Sequence, residues 1–201
     1  MKNLTARAAT SSDREANLWL GFQIRTLRLS KGLSIKELAL RASLSVGMVS
    51  QLERGLASPS IRSLRLISQA LDVQPGHFFQ EGGPPPAEEI GRIVRSKSQR
   101  VLHLSSTGVS KHMLTPETPG LLQITLVRMQ PEGSSGPEAY THRGEDAGYV
   151  IAGSMELWVG EDRHLLEAGD SFRFKSSLPH KFGNPSSDVT EVFWVVTPPF
   201  Y

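Results

Sequence analysis

Residues 34–60 read SIKELALRASLSVGMVSQLERGLASPS, and this stretch decides the fold of the first half of the chain. Ser34 and Glu37 match a capping box, in which the serine side chain and a glutamate three residues later satisfy the backbone at a helix start. Ser45 is a candidate N-cap for a second helix, only a few residues after the first one ends. The stretch therefore predicts two short helices joined by a tight turn.

The helical pattern extends outward on both sides of this stretch. Before it, Leu20, Ile24 and Leu27 recur at the spacing of one helix face, and the pattern resumes after Ser60. The predicted helices cover roughly residues 18–30, 35–42, 46–53 and 61–71, with a short final turn over 76–79. We therefore expect residues 18–79 to form an all-α domain with five helical elements.

The two central helices have the sequence pattern of a helix-turn-helix. Leu38, Val49 and Leu52 can meet in one core, and Ala39 allows the two helices to approach closely. The opposite face of the second helix is left polar. In this geometry the second helix lies in the major groove of DNA, while the first crosses the DNA backbone.

The charge of the chain is divided between its two halves. The formal net charge is +2, from 22 Lys and Arg against 20 Asp and Glu. Up to Gly83 the chain holds 11 basic and 6 acidic residues, and the remainder holds 11 and 14. The net charges are therefore +5 and −3, which makes the first half the candidate for a polyanionic partner.

The run from Gly21 to Val73 resembles the XRE-type helix-turn-helix family, which includes the phage repressor and Cro domains. The matching residues are Leu27-Arg28, Gly32-Leu33-Ser34, Glu37-Leu38-Ala39, Leu52-Glu53-Arg54-Gly55, Ser58-Pro59-Ser60, Leu64 and Ala70-Leu71. The resemblance implies double-stranded operator DNA as the partner. The candidate DNA-binding residues are Ser34, Lys36, Ser45, Val46, Gly47, Ser50, Gln51, Arg54 and Arg28.

The resemblance assigns different roles within this set. Gln51 and the residues that begin its helix commonly face base edges, whereas the start of the preceding helix holds phosphate. Ile35 stands where the family often has a phosphate-binding glutamine, so backbone N–H groups, with Lys36 beside them, would take over that contact. The resemblance also pairs Arg28 with Glu53. The alternative is that Arg28 contacts a phosphate, and one guanidinium can do both.

After the helical region the sequence changes to β-type patterns. Residues 82–89, GGPPPAEE, cannot continue a helix and favour extended backbone, so we interpret 80–90 as a linker between two domains. Short β-rich segments separated by turn signals predict a β-sandwich or barrel over 91–201. The predicted strands include residues 121–129, 148–152, 155–159, 171–174 and 189–196.

The segment 133–184 resembles the cupin family, whose two motifs place three histidines and a glutamate inside a small β-barrel, a double-stranded β-helix. Gly169-Asp170 opens the second motif, and His180 with Asn184 four residues later completes it. Alternation along a strand sends His180 and Phe182 toward the same face. The resemblance therefore implies an all-β cupin barrel behind the helical domain.

The first cupin motif departs from the family pattern. His142 matches its second histidine, but Tyr140 replaces the first, and Asp146 stands where glutamate is usual, with Glu145 as an alternative. The implied effector-binding residues are Tyr140, His142, Asp146, His180 and Phe182. Of these, His142, Asp146 and His180 would suit one divalent metal ion, zinc, iron, manganese or nickel. In the alternative, the two histidines only form hydrogen bonds inside a metal-free barrel.

An XRE-type domain joined to a cupin resembles a known class of two-domain bacterial regulators. The resemblance implies a DNA-binding transcriptional regulator and not an enzyme, with a small-molecule effector in the barrel that changes operator binding. Two alternatives stay open: a metal-dependent cupin enzyme, either a dioxygenase or an isomerase, and an effector-free regulator whose barrel only dimerises. A single DNA-reading helix per chain favours a homodimer.

Composition limits the remaining chemistry. The chain has no cysteine, which excludes disulfides, zinc-thiolate sites and thiol catalysis. No stretch approaches the roughly 18 apolar residues of a membrane helix, and residues 1–17 contain no apolar run of signal-peptide type. We therefore expect a cytoplasmic protein without membrane association.

Overall fold

The computed structural model describes residues 11–79 and 87–199, which form a helical part and a β part. Four α-helices are described in the helical part: α1 (Ser11–Ser30), α2 (Ile35–Arg41), α3 (Val46–Glu53) and α4 (Ile61–Ala70). The fifth predicted element is a single 3-10 turn over Pro75–Phe78. The all-α class of this part is confirmed, with four α-helices instead of five.

The serines at the helix starts act as caps, as predicted. The Glu37 N–H donates to the Ser34 hydroxyl at 3.2 Å, and the Ser34 N–H donates to the Glu37 carboxylate at 2.7 Å, which completes the capping box. The hydroxyls of Ser45 and Ser60 accept hydrogen bonds from the first turns of α3 and α4. These bonds satisfy backbone groups that a short helix would otherwise leave without a partner.

Helix α1 begins at Ser11, well before its predicted start near residue 18. The additional turns carry Ala16 and Asn17, which are buried. The side-chain oxygen of Asn17 accepts a hydrogen bond from the Ser105 hydroxyl of the β part at 2.8 Å. Contact with the β part therefore stabilises a polar helix segment that has no apolar periodicity of its own.

The β part is a barrel made from two antiparallel sheets. Its strands are β1 (Val101–Leu104), β2 (Val109–Met113), β3 (Gln123–Met129), β4 (Glu145–Ala152), β5 (Ser154–Val159), β6 (Asp162–Glu167), β7 (Ser171–Lys175), β8 (His180–Gly183) and β9 (Thr190–Thr197). One sheet has the order β1-β2-β3-β9-β4-β7, and the other has the order β6-β5-β8. Alternate residues of most strands face a shared apolar core, and the predicted barrel class is confirmed.

Strands β1, β2 and β6 are not among the strands predicted from the sequence. Strand β6 reads DRHLLE and is exposed along almost its whole length, so it has no alternation of buried and exposed residues. Strand β2 reads VSKHM, and its buried face includes Lys111. A charged residue on the core face hides the apolar alternation by which a strand is predicted.

The helical part packs directly against the barrel. The Ser106 hydroxyl donates to the Ser58 carbonyl oxygen at 2.7 Å, and the Ile61 N–H donates to the Ser135 carbonyl oxygen at 3.3 Å. Both contacts involve the segment that leads from α3 into α4. The position of α4 is therefore set by the barrel as well as by the helical core.

The predicted linker over 80–90 is only partly visible. Residues 80–86 lie outside the described ranges, and Ala87–Glu89 form a short 3-10 turn. The hydrogen bonds described above join the helical part and the barrel independently of this segment. No helix within residues 11–79 and 87–199 is long and apolar enough to cross a membrane.

Candidate functional site

Helix α3 divides its residues between the core and an accessible face. Val49 and Leu52 are buried, as the helix-turn-helix pattern predicts. Exposed on α3 and at its two ends are Ser45, Val46, Gly47, Met48, Gln51 and Arg54, while Ser50 is half-buried. Ser34 and Lys36, at the start of α2, are exposed as well. Eight of the nine candidate DNA-binding residues are thus accessible, fully or in part.

Arg28 is the exception, because it lies inside the helical part. The residue is 6% exposed, and its guanidinium donates to both carboxylate oxygens of Glu53, at 2.5 and 2.8 Å. A third N–H donates to the Leu33 carbonyl oxygen at 2.7 Å. The predicted ion pair with Glu53 is confirmed, and its burial removes Arg28 from the residues that can reach a phosphate.

In the barrel, the backbone brings the predicted effector residues into contact with one another. His180 opens β8, and its backbone pairs with that of Tyr140 through two hydrogen bonds of 3.0 Å. The two rings lie 4.4 Å apart, edge to face. His180 and Phe182 are both buried, 0% and 1% exposed, as their alternation along the strand predicts.

Three of these residues present ligand atoms to one another. Asp146 Oδ2 lies 3.1 Å from His142 Nε2 and 3.9 Å from His180 Nε2. The three atoms all lie within 4.8 Å of each other. Two atoms that each lie about 2.1 Å from one metal ion are separated by roughly 3 to 4 Å. The distances from Asp146 to the two histidines therefore fit a single ion.

Hydrogen bonds behind the two imidazoles fix their orientation. His180 Nδ1 lies 2.8 Å from the Leu178 carbonyl oxygen, and His142 Nδ1 lies 3.1 Å from the Arg143 carbonyl oxygen. Because a carbonyl oxygen only accepts, each Nδ1 carries the proton. With the proton on Nδ1, the lone pair of Nε2 is the one available for a ligand facing Asp146, which is the tautomer that metal coordination requires.

A hydrogen bond to its other oxygen orients the Asp146 carboxylate. Trp194 Nε1 donates to Asp146 Oδ1 at 2.6 Å, which leaves Oδ2 facing the two rings. Asp146 Oδ2 and His180 Nε2 are buried and make no well-aligned hydrogen bond to the described residues. Lone pairs that face each other in this way repel unless a proton or a cation lies between them. The residues present therefore fit a divalent metal ion.

The ionisation states favour metal binding. Burial lowers the pKa of His180 below its ordinary value, so the ring stays neutral at pH 7. Burial alone would raise the pKa of Asp146, but contacts with His142, Ser176 and Trp194 outweigh burial and hold that pKa below its usual value. Glu145, the alternative acid, is exposed on the opposite face of β4.

Two cationic residues near this site are absent from the sequence-based prediction. Lys111 lies on the buried face of β2, and its alternation with the apolar Val109 and Met113 is the signal that could have located it. Arg65 of α4 donates to the Thr141 carbonyl oxygen, and its guanidinium carbon lies 5.9 Å from the centre of the Tyr140 ring. The sequence carries no signal for Arg65, because its position depends on the docking of the two parts.

The fold and the two sites define a helix-turn-helix protein with a cupin-type barrel. The helix-turn-helix family matches residues 24–78, and the cupin domain family matches residues 125–196. The HTH-type transcriptional regulator PuuR of Escherichia coli (strain K12) is 25% identical over 179 residues, 89% of this chain and 94% of PuuR. The chain therefore combines a helix-turn-helix domain of the XRE type with a C-terminal cupin domain.

Two further similarities cover most of the chain. The HTH-type transcriptional regulator SutR of Escherichia coli (strain K12) is 24% identical over 167 residues, 83% of this chain and 87% of SutR. The crystal structure of an HTH_3 family transcriptional regulator from Vibrio cholerae superimposes with a TM-score of 0.64 at 23% identity. It covers 93% of this chain and 99% of that chain. The order of the helical part and the barrel is therefore shared with this solved structure.

Proposed function

We propose that the chain is a cytoplasmic, sequence-specific DNA-binding transcriptional regulator whose cupin barrel binds a small-molecule effector and so changes operator binding. Residues 18–79 would read DNA, residues 91–201 would sense the effector, and residues 80–90 would link the two. One observation carries the proposal. The loop that holds the barrel site is also a surface on which α4 of the DNA-binding part docks.

The docking loop covers residues 136–142. The Thr141 carbonyl accepts the hydrogen bond from Arg65, and Glu138 forms an ion pair with Arg62 of the same helix. The next residue of the loop after Thr141 is His142, a candidate metal ligand. A ligand that moves His142 therefore moves the backbone that holds α4, and it favours whichever arrangement it binds more tightly.

The barrel also borders the DNA-reading face. A cavity of about 490 Å³ lies between the two parts, and its walls include Gln51 of α3 and Glu138 of the docking loop. A negatively charged DNA backbone that approaches Gln51 would come near the carboxylate of Glu138. A shift of the docking loop would therefore change how easily DNA reaches α3.

Replacing Gln51 with alanine tests the base-reading role of α3. We expect a loss of about 1–3 kcal/mol in binding free energy at one operator position and relaxed specificity there, because a bidentate base contact is lost. The measurement is a titration of operator and single-base variants. Gln74→Ala, at an exposed glutamine outside α3, is the control. Equal weakening of operator and random DNA by Gln51→Ala would remove this residue from the base-reading set.

Operator geometry provides a second prediction. One reading helix covers too few base pairs for useful selectivity, so we expect a homodimer, with barrel contacts between the subunits. Its half-sites should lie about 34 Å apart, or a multiple of that distance, on a near-palindromic operator. Footprinting combined with light scattering measures both quantities. Full-affinity binding of a monomer to one asymmetric site would contradict this expectation.

A second candidate function has one observation in its favour. Two histidines and one carboxylate with open positions form the ligand set of non-haem iron oxygenases. A metal held by His142, Asp146 and His180 would supply Lewis acidity to a bound small molecule. Mass spectrometry of the compound before and after incubation with metal-loaded protein separates the two functions. A regulator returns the effector unchanged, whereas an enzyme converts it.

A further inference from the structure

A lysine on β2, a strand of the same sheet as the Asp146 strand, reaches the interior of the barrel. Lys111 is 6% exposed, and its Nζ lies 5.9 Å from the centre of the Phe182 ring on the other sheet. Phe182 in turn packs against Trp194, whose indole N–H donates to Asp146. The ammonium group of Lys111 therefore belongs to the same interior as the carboxylate of the site.

Lys111 places a positive charge inside the barrel. Burying an ammonium group is costly unless an opposite charge compensates it. Burial lowers the pKa of Lys111 to about 8, Asp146 opposes this shift, and Arg65 adds to it. Lys111 is therefore still mostly protonated at pH 7. Its compensating carboxylate, Asp146, also faces both imidazoles.

The second cation comes from the DNA-binding part. Arg65 lies 5.9 Å from the centre of the Tyr140 ring, measured from its guanidinium carbon, and the Tyr140 ring contacts His180 edge to face. The charge of Arg65 contributes to the lowered pKa of Lys111. The barrel site is therefore bordered by one cation from inside the barrel and one from α4.

We propose that the barrel binds a small carboxylate ligand, held by Lys111 from inside the barrel and by Arg65 from the helix-turn-helix domain. This inference rests on the proposed effector function and names the chemical class of the effector. Guanidinium and ammonium groups together suit a carboxylate, which accepts two hydrogen bonds from the planar guanidinium and one from the point charge. A cationic ligand such as a diamine would be repelled.

The composite site also explains how the ligand reaches the DNA-binding part. In the structure, Arg65 donates to the Thr141 carbonyl oxygen of the docking loop. A ligand carboxylate that binds the Arg65 guanidinium competes with the Thr141 carbonyl oxygen for its N–H groups. The carboxylate has the advantage, because charge-assisted hydrogen bonds are stronger than bonds to a neutral carbonyl. Ligand binding would then exchange a docking contact of α4 for a ligand contact.

The test is calorimetric titration of the full chain, freed of metal so that chelation does not contribute, at constant ionic strength and pH 7. The probes are acetate, pyruvate, succinate and 2-oxoglutarate, with neutral succinamide and the dication 1,4-diaminobutane for comparison. We expect at least one carboxylate to bind with an apparent Kd below about 1 mM. Lys111→Met should weaken that binding about tenfold or more, because a charge-assisted hydrogen bond is lost.

Matched variants keep the result interpretable. Lys97→Met, at an exposed lysine in the short turn before β1, should bind the carboxylate as the wild type does. If circular dichroism shows that Lys111→Met is unfolded, Arg65→Gln takes its place, with the same expected loss. Undiminished binding by the folded variant, or tighter binding of succinamide or the diamine than of every carboxylate, would overturn the inference.

Operator binding separates this inference from the proposed function. Wild-type protein that binds operator DNA and responds to the diamine but to no carboxylate would overturn the ligand class and leave the regulator function standing. Failure to bind any operator sequence would overturn the regulator function itself. Carboxylate binding that depends on Lys111 would support the proposed ligand class whether or not the protein binds an operator.

Discussion

Replacing Arg28 with alanine is expected to lower the free energy of unfolding by about 3 kcal/mol. The substitution leaves the Glu53 carboxylate buried without its bidentate partner, and an uncompensated buried charge is strongly destabilising. It also removes the bond to the Leu33 carbonyl oxygen. Urea unfolding followed by the helical circular dichroism signal measures the change.

Arg25→Ala provides the matched control for this prediction. Arg25 lies on the same helix and is exposed, so its removal should change the free energy of unfolding by less than about 0.5 kcal/mol. If Arg28→Ala were as stable as Arg25→Ala but bound all DNA sequences more weakly, Arg28 would act on phosphate. The structural role assigned to its ion pair would then be wrong.

The combined change His142→Ala and His180→Ala is expected to abolish divalent metal binding to the barrel. It removes two of the three ligand atoms, and one carboxylate retains little affinity for zinc or iron. Metal content after dialysis, measured by mass spectrometry, tests this. In the wild type, occupancy should fall as the pH drops, because protons compete for Nε2 of both rings.

The exposed His164 supplies the control, since His164→Ala should bind metal as the wild type does. Operator binding should survive in the double variant, because α3 and its caps are untouched, while the influence of the effector on operator affinity should disappear. Full metal content in the double variant would place the ion elsewhere. An unchanged response to effector would show that the two histidines only support the barrel.

The parts of the fold that local signals specify could be predicted from the sequence. The capping serines and the spacing of Val49 and Leu52 located α2, α3 and α4 almost to the residue. The first turns of α1 could not be predicted, because Asn17 is buried through a hydrogen bond to Ser105 far along the chain. A helix that tertiary contacts stabilise leaves no periodic pattern to detect.

Some residues of the candidate barrel site could likewise be predicted from the sequence, and others could not. The cupin resemblance selected His142, Asp146 and His180, and the structure brings their ligand atoms together. The structure supports Asp146 over Glu145, because neighbouring residues of a strand face opposite sides, and Asp146 is the one that faces the barrel interior. Lys111 lay in an unpredicted strand, and Arg65 reaches the site only through domain docking, which a proline-rich linker gave no reason to expect.

Selection of binding sites from a random-sequence DNA library, with the full-length protein and the Gln51→Ala variant, tests the central claim most directly. We predict that the wild type enriches one near-palindromic sequence with two half-sites about 34 Å apart, or a multiple of that distance. The variant should enrich a sequence relaxed at one position of each half-site. Enrichment of no sequence by the wild type, or of an identical sequence by both proteins, would contradict the account of α3 as the DNA-reading helix.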